Sequence, residues 1–232
     1  MISFVIPTLN EINNIDSTVQ KIKQCFTNRE DYEIIFVDDK SDDGSLEKII
    51  MLSKNNINID YCIPARRLGL GNALILGQKK TKGNFIFFLD CDDSINISNL
   101  LKLIKSIKNN TLIIGSRYLK DSKIYGVNKF RIFFSKSTNY FVSKYLRIPI
   151  SDISHSCRVF PKSIFLETDN FKHPIFFWEH TLYCFKNNFM INEVPIEFYE
   201  RKNGISKNSF LSLFKSIFYA SKSILKLKFK YK

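Results

Sequence analysis

Asp90, Asp92 and Asp93 fall within four positions, directly after an apolar run, with Cys91 among them. Carboxylates gathered where a strand ends suit a hard divalent cation. Mg²⁺ takes one or two carboxylates and completes its octahedron with water and substrate phosphates. A bend at Cys91 is expected to bring Asp90 and Asp92 to one ligand. A thiolate ligand would instead signal zinc or copper, which need more sulfur or nitrogen than this stretch offers. Two other readings stand beside the metal site. One is a helix start capped by Asn96 or Ser98, and the other is an acidic surface turn. Two more polar turns, PTLNE (7–11) and DDKSDDGS (38–45), also follow apolar runs.

The elements that must position these turns follow from periodicity. Apolar strand-like runs at 3–7, 32–39, 58–63, 84–90 and 111–117 alternate with stretches of helical spacing at 11–26, 43–54, 70–81 and 96–108. Repeated strand–helix units with apolar strands predict an α/β fold. Its sheet would be mostly parallel and Rossmann-like, with helices on both faces. Ligands bind such sheets beyond the carboxyl ends of the strands. All three polar turns are expected there. The second half reads as an aromatic, basic segment (129–148), a strand (156–161), a helix (174–188) and a strand from 191 leading into a polar loop to 207. A basic amphipathic helix is predicted over 209–225.

Hydrophobic residues make up 44% of the 232, which excludes a disordered chain. The formal net charge is +13, and no acidic residue occurs from Lys215 to Lys232. That balance points to an anionic partner: nucleic acid, an anionic membrane face or a phosphorylated substrate. No nucleic-acid motif accompanies it. The five cysteines lack metal spacing and read as reduced, cytosolic thiols. No basic, then apolar, leader opens the chain, and no run approaches the roughly 18 apolar residues that cross a bilayer. The expectation is a cytoplasmic protein, peripheral on the membrane's cytoplasmic face.

Together the three turns resemble family-2 glycosyltransferases of the GT-A fold. Pro7-Thr8-Leu9-Asn10-Glu11 is similar to their PxxNE turn. Val37 to Ser45 is similar to VDDxSxDGS, and Asp90-Cys91-Asp92 to their DxD. Within that family the chain resembles dolichol-phosphate mannose synthases and other polyprenyl-phosphate transferases. The stretches that carry this are RRLGLGNALILG (66–77), GSRY (115–118), RIFFSKSTNYF (131–141), SDISHSCRVF (151–160) and EVPIEFYERKNGISK (193–207). Each motif alone is weak, and their order and combination are specific.

The resemblance implies an inverting, Mg²⁺- or Mn²⁺-dependent transfer of mannose or another hexose from a nucleotide-diphospho-sugar to a polyprenyl phosphate. It implies that Pro7, Leu9, Glu11, Phe36 and Asp38 cradle the nucleoside. Asp90, Cys91 and Asp92 would meet the sugar-diphosphate, with Asp92 as direct metal ligand and Asp90 beside it. Arg117 would lie near the donor sugar or the acceptor phosphate. Arg201 and Lys207 would close over the phosphates. Arg131, Ser135 and Lys136 would take the acceptor. Residues 1–117 would form the nucleotide-sugar half and 118–207 the acceptor half, with 208–232 a basic helix and tail on the membrane. Leu9, Asp93, Ile95 and Ser137 depart from the resembled pattern, and Asp93 is expected to face the acceptor.

A lipid phosphate is already an anion and needs no base. A sugar hydroxyl on a glycan or glycolipid would need one, and Glu179 or His180 would have to serve. A sugar-nucleotide nucleotidyltransferase is the reading from another class. It would want a glycine-rich loop after the first strand, and PTLNE has no glycine.

Overall fold

The computed structural model describes residues 1–27, 31–67, 69–164 and 175–201, together with Leu227. Lys207 and the predicted helix 209–225 lie outside the described residues. The chain runs β1 (Ile2–Thr8), α1 (Ile15–Cys25), β2 (Tyr32–Asp38), α2 (Ser45–Asn55), β3 (Ile59–Cys62), α3 (Leu70–Lys80), β4 (Phe85–Phe88), α4 (Ile97–Lys105) and β5 (Thr111–Ser116). It continues with β6 (Lys123–Tyr125), α5 (Lys129–Leu146), β7 (Arg158–Pro161), α6 (Ile175–Lys186), β8 (Met190–Pro195) and β9 (Glu197–Tyr199).

Seven strands form one sheet in the order β3-β2-β1-β4-β7-β5-β8, and β6 pairs with β9 in a separate ribbon. The pairs β1–β2, β1–β4, β2–β3 and β5–β8 are parallel. β7 is the exception and runs antiparallel to both β4 and β5. The sequence predicts this strand but not its direction. β7 follows a long helix and returns the chain between two strands already laid down.

Strand alternation divides the core into two layers. Phe4, Ile6, Phe36 and Phe87 face Ile15, Val19 and Ile22 of α1, Ile49 of α2 and Leu100 and Leu103 of α4. Val5, Val37, Ile86 and Phe88 face Ala73 and Leu74 of α3, Val142 and Leu146 of α5, and α6. A sheet covered on both faces needs continuous apolar strands, and all seven residues of β2 are buried. α3 packs closest. A Cβ on Gly77 would stand 2.4 Å from Val5 Cγ1 and 2.8 Å from Val37 Cγ2. Leu227 is fully buried within the α3–α5–α6 layer.

The predicted helices shorten at their starts where polar turns intervene. α1 begins at Ile15 because residues 11–14 turn, with Asn14 N donating to Glu11 O at 2.8 Å. α4 starts after Asn96, whose side chain accepts from Asn99 N at 2.9 Å. That is the ordinary N-cap bond.

Candidate active site

The loops after β1 and β2 hold each other. Asn10 N donates to Ser41 Oγ at 3.0 Å and Asn10 Nδ2 to Asp42 Oδ1 at 2.6 Å. Glu11 N donates to Ser45 Oγ at 2.9 Å and Ile12 N to Asp43 Oδ2 at 3.1 Å. Asp43 also accepts from Ser45 N and Oγ, at 2.9 and 2.6 Å. Asp42 and Asp43 therefore serve the scaffold. Arg67 and Gly69 dock on the same loop. Arg67 Nε donates to Asp39 O at 3.3 Å, and Gly69 N donates to Asp39 Oδ2 at 2.9 Å.

Asp38, at the end of β2, is left with spare capacity. It is fully buried, and Oδ1 accepts from Ser41 N at 3.0 Å. Oδ2 is buried with no hydrogen-bond partner among the described residues. A carboxylate oxygen hidden from water without a donor is costly, and a ligand N–H or O–H would satisfy it. Pro7 and Leu9 are half-buried nearby, since Pro7 pairs with Val37 and Thr8 with Asp38. Phe36 corrects the sequence expectation. Its ring is fully buried in the α1–α2–α4 layer, so it packs the core and does not line a nucleoside site.

The DCD turn resolves into three different roles. Phe87, Leu89 and Cys91 all point into the α1–α2–α4 layer. The chain leaves β4 at Phe88 and bends over residues 91–93, as expected at Cys91, with Asp90 and Asp92 close enough for the charge of one to act on the other. Cys91 is buried, its Sγ is 3.6 Å from Thr18 Oγ1, and burial pushes its thiol up to about 12. Its side chain therefore faces away from the carboxylates and cannot contact a nucleotide-sugar on their side. Asp93 adopts φ 56° and turns back to α1, with Lys21 Nζ at 2.6 Å and Ser17 Oγ at 2.7 Å. The expectation that it faces the acceptor is corrected by these contacts.

Asp90 and Asp92 meet Glu11 and Arg201. Asp90 Oδ2 accepts from Ser156 Oγ. Burial, then the charge of Asp92, push its carboxyl up to about 6, against the Ser156 bond and Arg201. Asp92 is nearly buried. Its Oδ1 accepts from Ser94 N at 3.1 Å, and its Oδ2 lies 2.8 Å from Arg201 Nε. Arg201 Nη1 reaches Glu11 Oε1 at 3.5 Å, and Glu11 Oε2 accepts from Asn14 Nδ2 at 2.7 Å. Among the described residues no three His, Cys, Asp or Glu side chains gather as a metal cage. Two hard-oxygen carboxylates beside each other still match a cation that completes its shell with phosphate oxygens.

Arg117, at the end of β5, stands across from this acidic centre. Its backbone N and Nε donate to Asp152 Oδ2 at 3.0 and 2.7 Å, and Nη2 donates to Asp152 Oδ1 at 2.8 Å. Burial works against its charge, but Asp152 outweighs burial and the guanidinium pKa rises. On α5, Ser135 Oγ accepts from the Tyr118 hydroxyl at 2.6 Å, and Arg131 lies 3.8 Å from Glu200. Lys136, Lys144, Tyr118, Tyr140 and Ser151 line an open cavity of about 380 Å³. Ser156, Asp152 and Glu193 are parts of this arrangement that the residue pattern alone did not reveal.

Glu179 and His180 are fully buried on α6. The His180 ring lies among Phe88, Phe160 and Phe176, and Arg158 Nη1 is 3.1 Å from its Nδ1. Burial, then the Arg158 charge, push its pKa well below the usual range.

Residues 3–168 match the family model described as Glycosyl transferase family 2. The dolichol-phosphate mannosyltransferase of Pyrococcus furiosus is 34% identical over 124 residues, covering 53% of this chain and 35% of that protein. The dolichol-phosphate mannosyltransferase of Saccharomyces cerevisiae is 31% identical over 86 residues, covering 37% and 32%. The matched stretches thus span about a third of either relative's length. Among solved structures, glucosyl-3-phosphoglycerate synthase of Mycobacterium tuberculosis in complex with Mn²⁺, UDP and glucosyl-3-phosphoglycerate superposes with TM-score 0.71 at 14% identity. That superposition covers 100% of this chain and 79% of the other, and it establishes the fold.

Proposed function

The chain belongs to glycosyl transferase family 2, and on that premise we propose that it moves a hexose from a nucleotide-diphospho-sugar to a polyprenyl phosphate at a membrane surface. The observation that carries this reading is the placement of charge. Asp38, Glu11, Asp90 and Asp92 converge at the carboxyl ends of β1, β2 and β4, with Arg201 among them and Arg117 opposite.

In this reading residues 1–117 hold the donor and residues 118–207 the acceptor. Asp38 Oδ2 accepts from the base, while Pro7 and Leu9 bound the nucleoside. Asp92, with Asp90 beside it, would hold Mg²⁺ or Mn²⁺, as the oxygen donors there fit a hard ion. A divalent ion in that position would offset the charge that grows on the departing diphosphate. Arg201 moves from Glu11 and Asp92 onto the phosphates and adds a fixed cation where negative charge develops. Arg117 orients the acceptor. An acceptor phosphate oxygen bonds to the anomeric carbon from the face opposite the diphosphate. The bond from that carbon to the diphosphate oxygen breaks, and its electron pair leaves with the nucleotide.

No proton has to be removed from a phosphate acceptor. A hydroxyl acceptor would require Glu179 or His180 as base. Their burial, and the depressed His180 pKa, favour the lipid phosphate. α5 suits the same substrate. Phe130, Phe133, Tyr140 and Phe141 are each more than half exposed, opposite the buried Asn139, Val142 and Leu146. Lys129, Arg131, Lys136 and Lys144 flank them, and α5 contains no acidic residue. Basic helices with aromatic faces lie in bilayer interfaces. No helix among the described residues is long and apolar enough to cross a membrane.

A thermal-shift panel of nucleoside diphosphates with and without Mn²⁺ or Mg²⁺ tests the donor half. One nucleotide should stabilise the protein, and more so with the ion. Silence from every nucleotide overturns the reading. Radiolabelled sugar nucleotides offered to vesicles with and without polyprenyl phosphate then test the acceptor. Label appearing in a glycan and not in the lipid phosphate would favour the hydroxyl route.

A further inference from the structure

Arg117 is held in a socket of its own. Asp152 is fully buried and takes three N–H bonds from Arg117 alone. The pair is side-on: Nε and Nη2 are engaged, and Nη1 is left outside the fork. Ser154 Oγ lies 3.4 Å from Nη2, so the engaged edge has a second acceptor. The rings of Tyr118 and Phe198 flank the guanidinium, with centroids 5.1 and 5.5 Å from Cζ. Asp152 is itself anchored. Its backbone N donates to Glu193 Oε1, and Ser151 N donates to Glu193 Oε2, both at 2.8 Å. Glu193 sits on β8, the strand beside β5, opposite Ile114.

A buried Arg–Asp pair contributes little net stability over an apolar pair of the same shape, because both charges lose their water. What the fork supplies is direction. An arginine ordered before its ligand arrives keeps the affinity that a free one loses on freezing. Supporting contacts of this kind decide whether a charged group sits within the tolerance that transfer chemistry demands.

We propose that Asp152 is a positioning residue for the transfer reaction. It fixes the Arg117 guanidinium side-on so that its free edge is presented to the acceptor phosphate, and Glu193 locks the loop that carries Asp152. This rests on the reading of Arg117 given under Proposed function. Asp152 touches no substrate and acts only through Arg117. An Asn at position 152 would still accept one bond. Its amide hydrogens would oppose an N–H of Arg117, so the fork opens while the volume is kept.

Two measurements test this, one of them independent of any substrate. With ¹⁵N-arginine labelling, the Arg117 Nε–H resonance, identified by its loss in Arg117→Lys, should be protected from exchange. It should lose that protection in Asp152→Asn. Unchanged protection in Asp152→Asn overturns the proposal, whatever the protein's substrate proves to be. In transfer from a sugar nucleotide to polyprenyl phosphate, Asp152→Asn should lower kcat/KM for the lipid by about 10²-fold. It should leave KM for the nucleotide sugar unmoved and add nothing on the Arg117→Ala background. Losses that multiply in the double variant overturn it. Should Asp152→Asn not fold, Glu193→Gln provides the same cycle, with a smaller loss for the lipid that also vanishes on the Arg117→Ala background. If the wild type transfers no sugar at all, the reading of function has failed, and the exchange measurement then decides only whether Asp152 fixes the Arg117 guanidinium.

Discussion

At the ends of β1, β2 and β4, carboxylates outnumber the cations paired with them among the described residues, whereas Arg117 has a carboxylate of its own in Asp152. Asp38 keeps an unpartnered oxygen, and Asp90 is held against the charge of Asp92. Arg201 is shared between Glu11 and Asp92. Asp152, by contrast, takes both sides of the Arg117 fork, and Glu193 takes the two N–H groups beside it. The arginines differ in burial, with Arg201 38% exposed and Arg117 17%, but Asp38, Asp92 and Asp152 are all buried, so burial does not distinguish those carboxylates. The difference lies in satisfaction. A site built to receive a ligand carries unspent capacity and repulsion, and a site built to hold a shape spends its capacity internally.

The sharpest way to break this contrast is to remove one charge from each side. Asp152→Ala leaves Arg117 partly buried without its counter-charge. Unfolding by denaturant should show a loss of about 3–5 kcal/mol. Asp92→Asn should cost about 10²–10³-fold in transfer, the loss typical of removing a group that stabilises developing charge. Its stability should shift by no more than about 1 kcal/mol, because the ion pair it breaks, with Arg201, is more than a third exposed on one side. A large stability loss at Asp92 or none at Asp152 would erase the distinction.

Titration gives a second contrast, of opposite sign. Asp90 has its carboxyl raised to about 6 from 3.8. The unfolded chain therefore ionises first as pH rises, and stability should fall across the interval from 3.8 to about 6. Melting curves of metal-free Asp90→Asn should lack that falling limb. For Asp152, burial raises the pKa but the Arg117 charge and hydrogen bonds prevail, and the net shift is downward. Its contribution is present above the unfolded value of 3.8 and is lost as pH falls below it. The smallest expected effect is at Asp93. Asp93→Asn removes a partly buried ion pair with Lys21 while keeping an acceptor for Ser17, and should cost about 1 kcal/mol. Acceptor preference, read from competing lipid and glycan acceptors, should stay as in the wild type.

The sequence was most informative where one strand end carried both the pattern and the chemistry. Asp38, Asp90 and Asp92 follow apolar runs, and the parallel layout of β1, β2 and β4 puts them together. Phe36 and Cys91 belong to the motifs, yet both side chains face the α1–α2–α4 layer, and motif membership does not encode which way a side chain points. Asp93 departs from its motif for a related reason. Its left-handed backbone, at φ 56°, reverses the chain toward α1, and a linear pattern does not contain that turn. Asp152, Ser156 and Glu193 stayed hidden because their partners lie 35, 66 and 41 or 42 residues away. The three-residue β6 is too short to carry a period at all.

β7 lies between β4 and β5, with Arg158 opposite Phe88 on one side and Ile114 on the other. Ser156, just ahead of it, bonds Asp90, and Cys157 O accepts from Gly115 N at 3.0 Å. This geometry sets a timetable for a growing chain. Strands β1 to β4 can assemble from residues 1–88 alone, but β5 has no neighbour in the sheet until residue 161 has been made. Closing a loop of that length is the slow, entropy-limited kind of event in folding. Neither the acidic turn nor the arginine socket is therefore in place before β7 arrives, because Ser156 and Asp152 both lie on the stretch that leads into it.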